Sequence, residues 1–330
     1  MTESVRVYAL PWHIDTSPAF RLMLAGLTGN GVHPRFLPWT GEGVPPEFDE
    51  AVLCGDPMVF CQIPPPLSVP AALGRSTWIP MWDHACGLSR AWWRNLPGSL
   101  QVLCLSDAVG RLLPASRGGT LKLRFFPEVP PASQTSPGTA FYWNRRGLYP
   151  LDVLACLCRA LQVEALTVLD IPDPGCGASA LGPDVLAVAP SVTRITEGLL
   201  VPDAFQALLD RTQIVFAPRL LEGVGLSFLE AMARGSAVVA PDSPTMSEYI
   251  HSGRNGILLR VQGGASLAYR RIRARVTRKP RTAEIHAAQD WQSIETADVD
   301  QLGRRAREDV IVGRENWDAA AEDLVAFVLR

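Results

Sequence analysis

Two glutamates, Glu222 and Glu230, stand either side of seven residues that begin with the glycine turn Gly223-Val224-Gly225. Leu226 to Arg234 carries Leu226, Leu229 and Met232 at helical spacing and is closed by Gly235, which predicts a helix with a glycine C-cap. Ile214 to Ala217 before it and Ala237 to Ala240 after it are short apolar runs that read as buried strands, the second ended by Pro241. A helix start presents unpaired N–H groups and a partial positive charge, which suits an anion. Glycines have no Cβ, so a ligand can come close to the backbone. Glu230 lies about 7–8 Å along the axis from Gly225. A long ligand with a central diphosphate can therefore meet the helix start at its middle and offer hydroxyls to a carboxylate on each side.

The elements that position this stretch repeat one pattern. In the first half, Val5–Ala9, Arg35–Trp39, Met58–Ile63, Thr77–Trp82, Leu100–Leu105 and Leu121–Phe126 read as strands. Helices are expected at Pro18–Leu27 and Asp107–Leu113, with a proline-rich and acidic loop running to Glu50. A polar segment, Pro130–Gly138, links this half to a second series. There Ala140–Trp143, Ala165–Ile171 and Val192–Glu197 read as strands, and Leu151–Leu161 and Asp203–Arg211 as helices. Strands alternating with helices predict parallel α/β layers. A chain of 330 residues fits two domains, here 1–134 and 135–330, with a last amphipathic helix at Arg314–Arg330.

The stretch E-G-V-G-L-S-F-L-E-A-M-A-R-G-S-A-V-V-A-P, followed by N-G-I-L-L, resembles the E-x7-E donor motif of retaining GT-B glycosyltransferases of family 4, also described as glycosyl transferases group 1. The resemblance implies an α/β GT-B fold: two Rossmann-like domains facing a cleft, the first on the acceptor side, with 314–330 crossing back to it. It implies transfer of a sugar from a nucleotide diphosphate sugar to a glycan, lipid-linked or other hydroxyl acceptor, with retention and without a metal or cofactor, in polysaccharide or other glycoconjugate synthesis. Glu222, Gly223, Val224, Gly225, Leu226, Ser227 and Glu230 then bind the donor, Glu222 at its sugar and Glu230 at its ribose. The family carries glycine-arginine after the first strand of the second domain and a lysine six residues later. This chain has Asn144-Arg145-Arg146 and no lysine at 151 or 152. Arg145 and Arg146 are the candidates to hold the leaving diphosphate; a solvated arginine pair in a turn is the other reading.

His84, in I-P-M-W-D-H-A, matches a family histidine at a strand end that faces the donor sugar; a surface turn histidine reads equally well. Trp12, His13 and Asp15 follow the first strand and are acceptor-side candidates. Asp298-Val299-Asp300 has the spacing of a metal-binding pair, but helix N-capping accounts for it, and no metal is expected. The seven cysteines are odd in number and scattered in apolar runs, as reduced core thiols are. A net charge of −2 calls for no nucleic-acid partner. The apolar run after the N-terminus is too short for a signal peptide and no run spans a membrane. A cytoplasmic protein is expected, with peripheral membrane contact through the basic segment 269–281 as one reading and a solvated face as the other. Two alternatives stand beside transfer: a non-catalytic sugar-nucleotide-binding subunit, and a dinucleotide-binding oxidoreductase, against which Phe228 fills the third glycine position of G-x-G-x-x-G.

Overall fold

All eleven strand runs read from the sequence lie in two parallel sheets of six strands. The computed structural model describes residues 3–15, 19–132, 134–145, 148–171, 181–197, 202–261, 285 and 288–330. The chain divides into two compact units, 1–127 with 313–330, and 128–312. Arg146, Cys176 and the basic segment 269–281 lie outside the described residues.

The first unit holds β1 (Glu3–Ala9), β2 (Val32–Pro38), β3 (Met58–Cys61), β4 (Ser76–Ile79), β5 (Gln101–Cys104) and β6 (Thr120–Lys122), in spatial order β2-β1-β3-β4-β5-β6. β3 and β4 are buried at every position, as central parallel strands covered on both faces must be. Several expected elements come out differently. The helix expected at Pro18–Leu27 is two short ones, Ala19–Met23 and Ala25–Gly29, parted at Leu24, whose φ of −99° and ψ of 5° leave the helical region. The acidic loop ends earlier than Glu50, because Phe48 and Ala51 bury one face of a helix, Phe48–Cys54. The strand expected at Leu121–Phe126 stops at Lys122; its Phe125 is instead buried against Trp317 of the C-terminal segment, ring edge to face at 5.1 Å. The C-terminal helix is interrupted at Ala320, between Val299–Ala319 and Ala321–Leu329.

The second unit holds β7 (Ser136–Trp143), β8 (Ala165–Leu169), β9 (Ser191–Ile195), β10 (Thr212–Phe216), β11 (Ala237–Pro241) and β12 (Gly256–Leu259), in spatial order β12-β11-β10-β7-β8-β9. β7 begins at Ser136, so it takes up the end of the expected linker. β11 is buried throughout, whereas the edge strand β9 is half exposed. The helix Leu151–Ala160 buries Val153, Leu154, Leu157 and Cys158 along one stripe of this core.

The helix Val299–Ala319 meets the C-cap of Leu226–Arg234 at Gly303. A Cβ added at Gly303 would stand 2.0 Å from the Gly235 carbonyl oxygen, which is backbone and cannot swing aside. Gly303→Ala is therefore expected to lower stability by about 1–3 kcal/mol through overpacking. Thermal unfolding beside Gly98→Ala, where an added Cβ meets nothing within 4 Å, checks this.

Candidate functional site

In the second sheet the chain winds outward from β7 through β8 to β9, and from β10 through β11 to β12. The winding direction reverses between β7 and β10. Open parallel sheets bind ligands outside the carboxyl ends of their strands at this reversal. β7 and β10 run in register, Tyr142 beside Phe216, so their carboxyl ends are level. The segment that follows β7 opens with Asn144 and Arg145. The segment that follows β10 contains Glu222 and leads into the helix Leu226–Arg234.

Glu222 is 5% exposed. A charged carboxylate at that depth needs a partner, and Arg219, itself largely buried, brings Nη1 to 3.6 Å from Oε2. The i,i+3 spacing in Arg219-Leu220-Leu221-Glu222 carried that signal, but Arg219 was not among the expected site residues. Val224 is 4% exposed, so its side chain serves packing. Gly225 caps the helix start with φ 82° and ψ 46° and no side-chain cap. The space a Cβ would need there is filled by Phe228, whose ring carbon would lie 1.8 Å from it. The glycine thus lets Phe228 pack against the turn on the side a Cβ would occupy. Gly223, Leu226 and Ser227 are half-buried around it.

The helix itself matches its expected bounds, Leu226–Arg234, and ends at Gly235 in the left-handed conformation, with Ser236 N–H donating to Ala231 O at 3.0 Å. Glu230 is one turn before the end. Desolvation pushes its carboxyl pKa up, against the opposing pull of Arg234 and a hydrogen bond with Gln206. Arg234 is occupied by Asp210, Gln206 and the Glu230 carbonyl.

Arg145 lies with its guanidinium carbon 4.5 Å from the centre of the Trp143 ring. Beneath it runs a buried polar chain that sequence reasoning missed. Tyr142 Oη donates to Asn144 Oδ1 at 3.1 Å, and Asn144 Nδ2 to Asp170 Oδ1 at 2.6 Å. Asp170 Oδ2 accepts from Arg194 Nε and the Leu181 amide, both at 3.0 Å. Burial pushes the Tyr142 phenol well above its ordinary pKa, so it stays a donor. These residues lie on β7 and β9 and just past the ends of β7 and β8, with Leu181 in the segment between β8 and β9, and share no spacing that marks them as a group.

In the first unit the winding reverses between β1 and β3. Trp12, His13 and Asp15 lie on a short helix, Pro11–Asp15. His13 and Trp12 are half-buried and Asp15 is exposed. His13 Nε2 is 2.8 Å from Oε1 of Gln62, directly after β3, so the contact crosses the reversal. Gln62 has φ 68°, and nothing in its sequence context signals it. The strand β4 ends at Ile79, not at Trp82; Trp82–Ala85 is a helical turn on which His84 is exposed.

Asp298 caps the helix Val299–Ala319, accepting from the Gln301 amide at 2.9 Å, and Asp300 accepts from Gln213 Nε2 at 2.7 Å. Among the described residues no group of three or more His, Cys, Asp or Glu is placed to hold a metal ion, and no helix is long and apolar enough to cross a membrane.

Residues 183–274 match the sequence model of the family described as glycosyl transferases group 1. No curated protein sequence matches the chain. Among solved structures, HepE of Anabaena, crystallised with UDP and glucose, is 12% identical with a TM-score of 0.56 over 98% of both chains. Sucrose-phosphate synthase of Thermosynechococcus elongatus is 13% identical, TM-score 0.57, over 98% of this chain and 97% of that one. A glycosyltransferase of Rickettsia africae is 10% identical, TM-score 0.58, over 100% and 99%. At such identities the likeness is one of fold, and that fold is the GT-B arrangement of two parallel α/β units.

The raised pKa of Glu230 has a stability consequence. A carboxyl whose pKa is higher in the folded chain favours folding below its unfolded value, about 4.3 for a glutamate, and loses that contribution as pH rises through the folded value. Glu230→Gln is therefore expected to raise the melting temperature at pH 7, with the gain shrinking towards zero below pH of about 4. Melting curves of both proteins across that range check it.

Proposed function

We propose that this chain is a glycosyltransferase that moves a sugar from a nucleoside diphosphate sugar to an acceptor hydroxyl. The observation that carries the reading is Glu222: a buried carboxylate on the segment after β10, level with the Arg145 segment and followed at once by the uncapped helix start. Glu222 accepts hydrogen bonds from hydroxyls of the donor sugar. The amides at the start of Leu226–Arg234 receive the diphosphate, and Glu230 accepts from the ribose. As the bond from the anomeric carbon to the diphosphate oxygen breaks, that carbon becomes oxocarbenium-like and negative charge grows on the leaving group. Helix amides and Arg145, with Arg146, offset that charge. No protein nucleophile is invoked. The departing phosphate oxygen takes the acceptor proton on the same face, which retains the anomeric configuration. No metal takes part.

The family match over 183–274 and the fold neighbours support sugar transfer, and the UDP and glucose in the HepE crystal make UDP-glucose the first donor to try. The acceptor in this reading is a glycan, a lipid-linked saccharide or another hydroxyl compound, as in polysaccharide or glycoconjugate synthesis. The seven basic residues of 269–281 add contact with an anionic membrane surface to the reading. A second reading, a sugar-nucleotide-binding subunit without turnover, is favoured by the stacking of Arg145 on Trp143 and by the absence of a lysine at 151 or 152.

Turnover measured with UDP-, GDP-, dTDP- and ADP-sugars separates the two readings. Glu222→Ala is expected to lower kcat/KM about 100-fold or more in protein that still unfolds cooperatively, at a lower melting temperature because Arg219 loses its partner; near-parent activity would remove Glu222 from the donor site. EDTA is expected to leave the rate unchanged. A loss restored by Mn²⁺ would bring in a metal.

A further inference from the structure

We propose that Thr245 is a positioning residue for Glu222, fixing the main chain of the glutamate that the reading above assigns to the donor sugar. β10 and β11 pair with Phe216 beside Val239, and Ala217 N–H donates to Val239 O at 2.8 Å. The segments that leave their carboxyl ends therefore start side by side. Thr245, on the segment after β11, is 0% exposed and its Oγ1 donates to the Glu222 carbonyl oxygen at 2.9 Å. Arg219 answers the carboxylate of Glu222, and Thr245 answers its backbone.

The backbone of Thr245 makes this contact more than incidental. Its φ is 79° and ψ −62°, the γ-turn region that L residues avoid and a β-branched one avoids most. Glycine would take that conformation without strain, so what threonine adds is its hydroxyl and its packing. The turn is clamped on both sides: Asp242 N–H donates to Leu259 O at 2.8 Å, Ser247 N–H and Oγ both reach Ser243 O at 3.0 Å, and Glu248 N–H reaches Thr245 O at 3.1 Å. Ser243 Oγ, two residues earlier, is buried and has no hydrogen-bond partner among the described residues. Two local costs within three residues are not what a connection folded for its own stability would keep. They fit a segment held in place for the residue it touches, and that residue is Glu222.

Two variants separate the hydroxyl from the shape. Thr245→Val keeps the branched side chain without the hydroxyl, and Thr245→Ser keeps the hydroxyl without the methyl. In Thr245→Val, amide hydrogen exchange over 220–225 is expected to rise about tenfold, and kcat/KM for the donor to fall at least about tenfold, the scale of one lost buried hydrogen bond. Calorimetric affinity for free UDP, which the Glu230 end dominates, is expected to hold within about twofold, and Thr245→Ser to keep all three close to the parent. Unchanged exchange over 220–225 in Thr245→Val overturns the proposal, as does an equal rise in Thr245→Ser, which would assign the effect to packing. A parallel fall in UDP affinity and melting temperature also overturns it. If Thr245→Val does not fold, Thr245→Gly removes the hydroxyl while accepting the backbone conformation, and the same readings apply. Should the parent turn over no donor, the transferase reading fails, while the exchange measurement still decides the role of Thr245.

Discussion

The parallel pairing of β7, β10 and β11 is the constraint from which the chemistry of the second unit follows. Parallel strands in register end on one edge, so three separate stretches of sequence, after Trp143, Phe216 and Pro241, emerge there together. The winding reverses between β7 and β10, and at such a reversal open parallel sheets form their ligand crevice on the carboxyl edge. Burying a carboxylate beside it is unfavourable unless charge and hydrogen bonds answer it. Arg219, on the same segment, answers the charge of Glu222, and Thr245, on the neighbouring one, answers its carbonyl.

Gly225 shows how a motif glycine can matter through packing. Its left-handed conformation turns the chain into the helix, and its missing Cβ admits the ring of Phe228, which is fully buried and meets Tyr249 edge to face at 5.9 Å. The helix start is thus aimed by packing from within the core. The same close fit recurs at the other end, where Gly235 terminates the helix and its carbonyl lies against Gly303. A helix of nine residues has little stability of its own. It is held by both of its ends, and that gives its N-terminal amides a fixed direction.

What was legible in the sequence was what repeats locally. The helix Leu226–Arg234 was read to the residue, because apolar spacing and a terminal glycine fix both bounds. Eleven of the twelve strands were legible, most plainly β3, β4 and β11, which are buried throughout and so read as continuous apolar runs, while β12 was not read. Boundaries failed where tertiary contacts decide: Phe125 looks like strand and is buried by Trp317 instead, and Phe48 and Ala51 build a helix out of what reads as loop. Site residues failed for a related reason. Glu222 and Glu230 stand out by spacing, and Arg219 was visible three residues before Glu222. Asn144, Asp170 and Arg194 meet only once β7, β8 and β9 are laid side by side. Gln62 and Thr245 matter through backbone conformations that no propensity assigns to glutamine or threonine.

Among the described residues, four that are not glycine have positive φ: Glu47, Gln62, Gln162 and Thr245. Glu47 has a local explanation, since it stands at the N-cap of the helix Phe48–Cys54. Gln162 lies in the turn between the helix Leu151–Ala160 and β8, at the amino edge of its sheet, where a left-handed residue commonly ends a helix. Gln62 and Thr245 share another setting. Each sits just past the carboxyl end of a strand on the edge where its own sheet reverses its winding, and each makes a side-chain hydrogen bond to a residue of a neighbouring segment, His13 in one unit and Glu222 in the other. Strain of this kind persists only where surrounding structure enforces it, and it gathers where side chains must be held for a ligand. The two lie at the carboxyl edges of two separate sheets, after β3 in one and after β11 in the other, and so on the edges where open parallel sheets bind ligands.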